Sequence, residues 1–480
     1  MNYKILHTKF ELRENGEFAI KELKIDGNSL FLHQLLTVQE DTTYYVDDLN
    51  ILYIYIIKFL KDNDISFDFS YKNGKCSNIK VTNGTTHIFF VNYKSKFGID
   101  FDEQNEENNI KIMNYAISHG RNRLSLGADA YNEFLHTIFK QKAEENANHK
   151  LIRENFPVFP YTETMLEAKK NVYGYQYAKP GRYKNIFDYD ISGSYPASAF
   201  CDTPEGFPQE YDCIENVPKS YFKIIKFTYY NCKLKNNGIS FVKTKSMGQL
   251  VLTQRLFEEF LSNYDVKVKI KKIIAFKTRK SMFAKFITQT VIHGKTLEKD
   301  PQIAKYNKYI GNAIIGYMGR NTTTERNTMQ WTQKDGYFIE TTEEEIEPIY
   351  LPAYLCILDT AKSKFIRSIR PFYKSIIYCN TDGFLSKQEI DLQMLNLRNT
   401  NHTVGNFRLC HKYSDIYLEC LNGYSGITED GELINTISGM RFERVLTPEQ
   451  YQNKNFVYYV NEPTANGTIR HRIIKIKNNE

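Results

Sequence analysis

The segment YCNTDGF, residues 378–384, lies between two apolar runs and constrains the fold more than any other short stretch of the chain. Asn, Asp and Gly dominate tight turns because they tolerate left-handed backbone angles and form local hydrogen bonds. The pattern therefore predicts a β-hairpin with Asp382 at its tip. From this segment alone, Asp382 is either an ordinary turn residue or a carboxylate presented to a metal ion.

A second strand-like segment, FDYDISGSYPASAF, carries acidic residues close to its end. Asp188 and Asp190 are two residues apart and so share one face of the predicted strand. We predict that a short helix starts at Pro196, because proline is preorganised for the first helical position. Tyr195 is expected to be extended and outside this helix, since a residue before proline avoids helical angles. Ordinary loop chemistry would explain the same Tyr-Pro pair.

The segment DPQIAKYNKYIGNAIIGYMGRN is the longest stretch with clear start and stop signals for a helix. Asp300 can cap this helix, Pro301 opens it and Gly319 closes it. One stripe of the helix combines basic, polar and apolar residues: Lys305, Lys308, Asn312 and Ile315. Such a stripe is awkward as core packing, so it is either a solvated face or a binding surface.

Composition limits the class of protein. With 480 residues, 41% of them hydrophobic and 25% charged, the chain is expected to form roughly two to four globular domains. A net charge of +7 favours a polyanionic partner without requiring one. The eight cysteines include no C-x-x-C pair, which argues against a zinc site and favours a reducing cytoplasm. The longest apolar run, residues 51–60, is too short to span a bilayer, so we expect a buried helix or strand pair and no membrane partner.

In order and character, the three segments resemble motifs A, B and C of the family B DNA polymerases, and within that family the protein-primed replicative polymerases of bacteriophages. Motif A of the family is D-x-x-S-L-Y-P, and residues 190–196 are DISGSYP. Motif B is K-x-x-x-N-S-x-Y-G, and residues 308–316 are KYIGNAIIG. Motif C is Y-x-D-T-D-S, and residues 378–383 are YCNTDG. The resemblance covers most of the chain from about residue 120 onward.

The resemblance implies a mixed α/β (α+β) fold shaped like a right hand, with a palm, fingers and a small thumb behind an N-terminal exonuclease-like remnant. The implied boundaries are 1–150 for the exonuclease-like domain, 151–283 for the first part of the palm with an insertion, 284–318 for the fingers, 319–440 for the second part of the palm and 441–480 for the thumb.

The resemblance also implies the residues that carry the chemistry. Asp190 and Asp382 would hold two Mg²⁺ ions, for which Mn²⁺ is expected to substitute, and Lys308 would contact the triphosphate. Asn380 stands where the family has a carboxylate, so it would be a weaker metal ligand. Tyr195 would pack under the sugar and exclude ribonucleotides. Further nucleotide contacts are expected from Lys295, Lys305 and Asn312, and DNA contacts from Gly174, Tyr175, Thr381 and Tyr424.

Several positions depart from the family. Gly193 and Ser194 replace the Ser and Leu of motif A, and Ile315 replaces the Tyr of motif B. Asn422 replaces the lysine of a K-x-Y motif that grips the primer strand. These departures affect primer grip and nucleotide discrimination more than they affect the chemistry.

The N-terminal domain lacks the motifs that the family uses for proofreading. The family has a D-x-E strand and a late Y-x-x-x-D helix, but no D-x-E occurs in the first 150 residues. Asn109 and Met113 stand where the Tyr and Asp would be, and Asp100 and Asp102 lie in an acidic loop. We therefore expect no 3′ to 5′ exonuclease activity.

These expectations combine into a DNA-directed DNA polymerase without proofreading. Its partners would be primer-template DNA and dNTPs, with a terminal protein as one candidate primer, and a phage-encoded enzyme would act in the cytoplasm of its bacterial host. Two alternatives stay open. One is a catalytically weakened polymerase fold that binds nucleic acid or regulates a partner, and the other is a template-independent nucleotidyltransferase.

Overall fold

The computed structural model describes residues 2–15, 17–72, 75–103, 105–138, 154–294, 298–332, 336–346, 348–396, 404–438, 445–454, 456–464 and 468–476. Lys295, one of the predicted nucleotide contacts, lies outside the described residues. Helices and sheets alternate along the chain, in agreement with the expected mixed α/β class.

Within residues 2–138, the first part consists mainly of strands and the last part of helices. The strands are β1 (Asn2–Leu12), β2 (Phe18–Ile25), β3 (Asn28–Leu30), β4 (Thr42–Val46), β5 (Ser66–Lys72), β6 (Lys75–Asn83) and β7 (Thr86–Asn92). The helices are α1 (Leu32–Leu35), α2 (Leu49–Asp62), α3 (Tyr93–Phe97), α4 (Glu106–Ser118) and α5 (Leu126–Ile138). Helix α2 buries its apolar residues in one cluster with residues of this sheet. The apolar run 51–60 is thus a buried helix, one of the two forms expected for it.

Residues 154–294 form a second region. Its elements are α6 (Glu163–Val172), β8 (Tyr175–Ala178), β9 (Gly181–Ile191), α7 (Ser194–Ser198), β10 (Thr203–Tyr211), β11 (Phe222–Leu234), β12 (Met247–Thr253), α8 (Gln254–Asn263), β13 (Tyr264–Arg279) and α9 (Ala284–Phe286), with a 3₁₀ turn at Ile214–Asn216 and a π-helical turn at Ile287–His293. Within the described residues, β10, β13, β11 and β12 pair in that order as a separate sheet. Helix α8 packs on it through Phe257 and Phe260 against Phe227.

Helix α7 begins two residues earlier than the sequence predicts. It starts at Ser194, so Tyr195 lies inside the helix and the prediction of an extended Tyr195 is wrong. Gly193 precedes the helix with φ of 61°, a left-handed angle that glycine adopts without strain. Pro196 is then in the first turn, where backbone N–H groups have no partner within the helix, so proline costs no hydrogen bond there.

Residues 298–396 contain α10 (Pro301–Met318), β14 (Thr323–Thr332), β15 (Gly336–Glu345), α11 (Leu351–Ile369), a 3₁₀ turn at Arg370–Ser375, β16 (Ile376–Thr381), β17 (Gly383–Ser386) and α12 (Leu392–Leu395). Helix α10 has the predicted bounds. The Asp300 side chain accepts hydrogen bonds from the backbone N–H groups of Gln302 and Ile303, and Gly319 follows the last turn.

The hairpin β14–β15 joins the N-terminal sheet. Asn327 of β14 pairs with Phe69 of β5, and its side chain donates to the Tyr71 carbonyl at 2.9 Å. In the described residues the sheet order is β15-β14-β5-β6-β7-β4-β1-β2-β3, with β4 parallel to β1 and β7. The sequence assigns this hairpin to the second part of the palm, whereas its strand pairing connects it with the first domain.

Residues 404–476 contain β18 (Phe407–Cys420), β19 (Gly423–Thr428), β20 (Leu433–Ile437), α13 (Pro448–Gln452), β21 (Phe456–Pro463) and β22 (Ile469–Ile476). Strands β21 and β22 form a hairpin at the predicted thumb. A central sheet has the order β20-β19-β18-β9-β17-β16-β8 among the described strands. Helix α11 supports one face of this sheet, where Phe365 contacts Phe384 and Phe407.

Helix α10 is held against the N-terminal helices by buried polar groups. Arg121 is 2% exposed and donates to Asn307 at 2.9 Å and to Glu133 at 2.7 Å. Thr290, in the π-helical turn, donates to the same Glu133 at 2.8 Å. The helix that carries Lys308 is therefore held by the segment between α4 and α5, and Glu133 of α5 connects this segment with the π-helical turn.

None of the helices in the described part of the chain combines the length and the hydropathy needed to cross a membrane.

Candidate active site

The two predicted metal-binding carboxylates lie at the ends of adjacent strands. Asp190 in β9 is opposite Gly383 in β17, and Gly383 is opposite Asn380 in β16. Asp382 is the tip residue between β16 and β17, as the sequence predicts. The backbone N–H of Ile191 donates to the Asp382 carbonyl at 2.9 Å, which fixes the tip against the end of β9. The fold thus brings motifs A and C together.

A cavity of about 320 Å³ lies at this strand edge. Its polar lining residues are Asp188, Asp190, Asn380, Asp382, Arg408, His411, Tyr378, Tyr424 and Thr436. Asp188 and Asp190 both line it, which confirms that they share one strand face. Arg408 donates to Asp190 across a distance of 3.4 Å, and 57% of its side chain is exposed. We call this space the carboxylate cavity.

Burial and the nearness of like charges disfavour ionised carboxyls in the carboxylate cavity. Burial raises the pKa of Asp382 to about 7, and the charge of Asp190 adds to the increase, while the Lys308 ammonium opposes it. Burial, followed by the charge of Asp190, also raises the pKa of Asp188 to about 7. Carboxyls in this state bind a proton or a cation in preference to remaining charged and unpaired. The local field therefore favours a cation at the hairpin tip.

The donor set of the cavity fits Mg²⁺. This ion prefers hard oxygen ligands and is commonly held by one or two carboxylates, with phosphates and waters completing its octahedron. Asp190 and Asp382 supply two such carboxylates. The described residues contain no group of three His, Cys, Asp or Glu side chains placed to hold a metal ion. A metal here would therefore need further oxygens from water or from a bound substrate.

Asn380 is held by hydrogen bonds on both sides. Its Oδ1 accepts from Gln176 Nε2 at 3.2 Å, and its Nδ2 donates to Asn422 Oδ1 at 2.8 Å. These bonds connect the hairpin with β8 and with the turn before β19. A carbonyl oxygen has two lone pairs, and Asn380 Oδ1 also accepts a bond from Thr381 Oγ1 at 3.5 Å, so a metal ligand role would displace one of these bonds. The ligand role of Asn380 stays a prediction.

A second cavity of about 730 Å³ includes Thr381, next to the hairpin tip, in its lining. Its lining includes Lys170, Asn171, Tyr173, Gly174, Tyr175, Gln176, Tyr195, Lys243, Lys362 and Thr381. Four residues predicted to contact nucleotide or DNA therefore share one space: Gly174, Tyr175, Tyr195 and Thr381. We call it the tyrosine cavity.

Two details connect the tyrosine cavity with the carboxylates. Burial raises the pKa of Tyr195 to about 12, and the charge of Asp382 contributes to that increase, so the ring lies within electrostatic reach of the hairpin tip. A Cβ atom on Gly174 would lie 2.5 Å from the Thr381 hydroxyl and 2.6 Å from its Cα. Only glycine allows the backbone before β8 to approach the tip so closely.

The predicted residues of helix α10 are not all at the site. Lys308 is partly buried and close enough to lower the pKa of Asp382. Lys305 is exposed, Asn312 is partly buried, and neither lines the carboxylate or the tyrosine cavity. Tyr424 does line the carboxylate cavity, with 9% of its surface exposed.

Sequence reasoning assigned no role to Arg408, His411 or Asp188. Arg408 and His411 reach the site because β18 pairs with β9, where they are opposite Asp190 and Asp188. Their segment carries no local signal of this pairing. The presence of Asp188 at the site could have been predicted, because its spacing from Asp190 places both side chains on one face of the strand.

Three aspartates of the N-terminal domain form contacts with neighbouring residues of that domain. The Asp102 carboxylate accepts from the backbone N–H of Asn105 at 3.0 Å and from Asn108 Nδ2 at 3.1 Å. Asp100 forms an ion pair with Lys94, and Asp47 accepts from the backbone N–H of Thr8 at 2.9 Å. No metal-binding group of three acidic, His or Cys side chains occurs here among the residues that the structure describes.

Sequence comparison connects the chain with DNA polymerases. A family model described as DNA polymerase type B, organellar and viral, matches residues 110–393. The DNA polymerase of Streptococcus phage Cp-1 is 22% identical over 317 residues, which cover 60% of this chain. The matched part spans 54% of that relative, so the chain covers about half of its length.

Structural comparison shows the same fold in solved polymerases. Phi29 DNA polymerase complexed with primer-template DNA and incoming nucleotides superposes with a TM-score of 0.76 at 18% identity, over 99% of this chain and 100% of that chain. The Phi29 enzyme complexed with single-stranded DNA gives a TM-score of 0.74 at 17% identity, with the same coverage. The chain therefore has the fold of the Phi29 enzyme over nearly all of the compared length.

Proposed function

Since the matching family model covers more than half of the chain, the protein belongs to the organellar and viral DNA polymerases of type B, and we propose that it extends a primer 3′-hydroxyl on a DNA template with dNTPs. One observation carries the proposal. Asp190 and Asp382, which are far apart in sequence, line one cavity together, and the Lys308 ammonium is close enough to act on the pKa of Asp382.

The reaction would use two Mg²⁺ ions held by Asp190 and Asp382, with Mn²⁺ as a substitute. When bound, such ions activate the attacking hydroxyl and neutralise the triphosphate. Asp190 and Asp382 orient the reacting groups from two rigid strands, and Lys308 meets the triphosphate as a point charge. Tyr195, which lines the tyrosine cavity within electrostatic reach of Asp382, would pack under the nucleotide sugar.

Primer-template DNA and dNTPs are the proposed partners. A protein hydroxyl is a second candidate primer, because the polymerases that the three motifs resemble are protein-primed. A polymerase of phage type would act in the cytoplasm of the bacterial host. Gly174, Tyr175, Thr381 and Tyr424 are proposed to contact the DNA, since all of them line the two cavities beside the hairpin.

Primer extension tests the proposal and separates it from the alternatives. The full chain is incubated with Mg²⁺, dNTPs and a labelled primer, with and without an annealed template. We expect extension that follows the template. Extension without a template would indicate a nucleotidyltransferase. DNA binding without extension in Mg²⁺ or Mn²⁺ would indicate a binding module, the alternative favoured by the hydrogen bonds that occupy Asn380.

Lys308→Ala is expected to raise the KM for dNTP by about 10- to 100-fold. A hydrogen bond to a charged group contributes about 1.5–3 kcal/mol, and each 1.4 kcal/mol is a factor of ten. Steady-state extension at varied dNTP measures this value. Lys305→Ala is the matched control, because Lys305 is on the same helix but exposed, and its effect should be much smaller. Equal effects of the two substitutions would contradict a specific role for Lys308.

Tyr195→Ala is expected to reduce the preference for dNTP over rNTP by about 10- to 100-fold, the range that one pocket contact contributes to specificity. The ratio of kcat/KM for the two nucleotides measures it. Tyr195→Phe keeps the ring and should keep the preference. Tyr173→Ala changes another ring of the tyrosine cavity and should also keep it, so an equal loss there would place the sugar gate elsewhere.

A primer with a mismatched, labelled 3′ end should survive incubation with the protein and Mg²⁺, because the carboxylates of Asp100 and Asp102 form other contacts. Denaturing gel electrophoresis measures the surviving length. The test is run without dNTPs, so that extension cannot mask cleavage. Shortening that the double variant Asp100→Ala/Asp102→Ala abolishes would show that the domain is an active nuclease.

A further inference from the structure

The thiols of Cys201 and Cys356, close to the motif A segment, are in contact. Cys201 follows α7, and Cys356 lies in α11. Their Sγ atoms are 3.7 Å apart, and all eight cysteines of the chain are free thiols. A disulfide bond has an S–S distance of about 2.05 Å, so an approach of roughly 1.7 Å would bring the two sulfurs to bonding distance.

The surroundings make Cys201 the reactive member of the pair. Cys201 is partly exposed, whereas Cys356 is 2% exposed and donates to the Asp202 carbonyl at 3.4 Å. The hydrogen bond between the two thiols lowers the pKa of Cys201, and the Arg255 guanidinium contributes, against the effects of burial and of the Asp359 charge. A partly exposed thiol beside a cation is the kind that reacts as a thiolate.

We propose that Cys201 and Cys356 are a redox modification site, which a low-molecular-weight disulfide such as oxidised glutathione converts into an intramolecular disulfide bond. The Cys201 thiolate attacks one sulfur of the glutathione disulfide, and one glutathione thiolate leaves. Cys356 then gives its proton to solvent and attacks the Cys201 sulfur, and the second glutathione thiolate leaves. Two protein thiols are oxidised and one glutathione disulfide is reduced to two thiols.

The position of the pair gives the bond a structural consequence. The chain between the two cysteines includes β10–β13, α10 and the β14–β15 hairpin. The two cysteines are 155 positions apart. A disulfide stabilises by restricting the unfolded chain, and the effect grows with loop length. The oxidised protein should therefore unfold at a higher temperature than the reduced protein.

Peptide mapping tests the site directly. The full chain is incubated with oxidised glutathione, the remaining thiols are alkylated, and a non-reducing digest is analysed by mass spectrometry. We expect a linked peptide pair containing Cys201 and Cys356, a higher Tm, and reversal of both by dithiothreitol. The mapping needs no polymerase activity, so it stands or fails separately from the proposed function.

Cys201→Ser should remove both the linked peptide and the rise in Tm. Cys420→Ser is the matched control, because Cys420 is an exposed thiol away from the pair, and it should change neither. Glutathione bound at Cys201 without a link to Cys356 would overturn the proposal. So would a link between other cysteines, or a rise in Tm that persists in Cys201→Ser.

Discussion

Asp190→Asn and Asp382→Asn are each expected to lower the rate of primer extension by about 10³-fold or more, since metal-ion catalysis contributes several kcal/mol and each 1.4 kcal/mol is a factor of ten. Both carboxylates line one cavity at the ends of adjacent strands. Asparagine keeps the shape of the side chain but removes the charge that a divalent cation needs. Single-turnover extension at saturating dNTP measures the loss.

The same substitution at Asp382 should keep or raise the stability of the metal-free protein. Burial, and then the charge of Asp190, raises its pKa from 3.8 to about 7 in the fold. A carboxyl with a folded pKa above its unfolded pKa destabilises the fold progressively as the pH rises from about 4 to about 7. Near pH 8 the whole penalty is present, and a neutral amide removes it. We expect the Tm of Asp382→Asn at that pH to equal or exceed that of the unaltered protein.

A matched control for both variants is Asp415→Asn. Asp415 is in β18 of the same sheet and pairs with Arg182 at 2.7 Å, away from the carboxylate cavity. Its substitution should leave extension unchanged. Gel-shift binding to primer-template DNA should be close to normal in all three variants. Near-normal extension by Asp190→Asn or Asp382→Asn would remove the metal assignment, whereas loss in Asp415→Asn as well would indicate a general defect of the sheet.

Local patterns predicted the parts of the site that depend on local chemistry. The turn residues around Asp382 specify a hairpin whatever the rest of the chain does, and the alternation of Asp188 and Asp190 follows from the strand itself. Asp300 and Pro301 determine where α10 begins, because capping and proline act within one turn. These predictions needed no knowledge of which strand pairs with which.

The errors and omissions depend on contacts between distant segments. Arg408 reaches Asp190 through strand pairing that leaves no mark around residue 408. The β14–β15 hairpin joins β5 of the first domain, about 250 residues earlier in the chain, as measured by the bond from Asn327 to Tyr71. The early start of α7 arises from Gly193, whose left-handed angle turns the chain before Tyr195. Propensity alone placed that start at the proline.

Lys96→Met is expected to lower the free energy of unfolding by about 3–5 kcal/mol, the usual result of removing one partner from a buried ion pair. Lys96 in α3 and Asp129 in α5 form an ion pair in which both side chains are fully buried. The Lys96 ammonium also donates to the carbonyls of Arg121 and Arg123 at 3.2 and 2.6 Å. The substitution would leave the Asp129 carboxylate without its cation. Urea denaturation, followed by circular dichroism, measures the change.

Lys94→Met provides a close control. Lys94 is two residues away on the same short helix and pairs with Asp100, but both side chains are mostly exposed. Solvent-exposed pairs contribute roughly 0–1 kcal/mol because water screens them and the side chains lose entropy. The two lysines therefore differ in burial more than in chemistry. Similar losses in both variants would show that the buried pair contributes no more than a surface pair.

The double variant Lys96→Met/Asp129→Leu separates the charge from the packing. Replacing a whole buried pair by apolar residues often costs little, because the desolvation penalty disappears together with the attraction. Here the carbonyls of Arg121 and Arg123 would each lose a hydrogen-bond donor. Each loss would lower the free energy of unfolding by about 1–3 kcal/mol if no water replaces the donor. We therefore expect the double variant to be more stable than Lys96→Met but less stable than the original chain. Arg121 also donates a hydrogen bond to Asn307 of α10, the residue before Lys308. If the loss of Lys96 shifts Arg121, Lys308 should shift with α10. The KM for dNTP should then rise in Lys96→Met and stay unchanged in Lys94→Met.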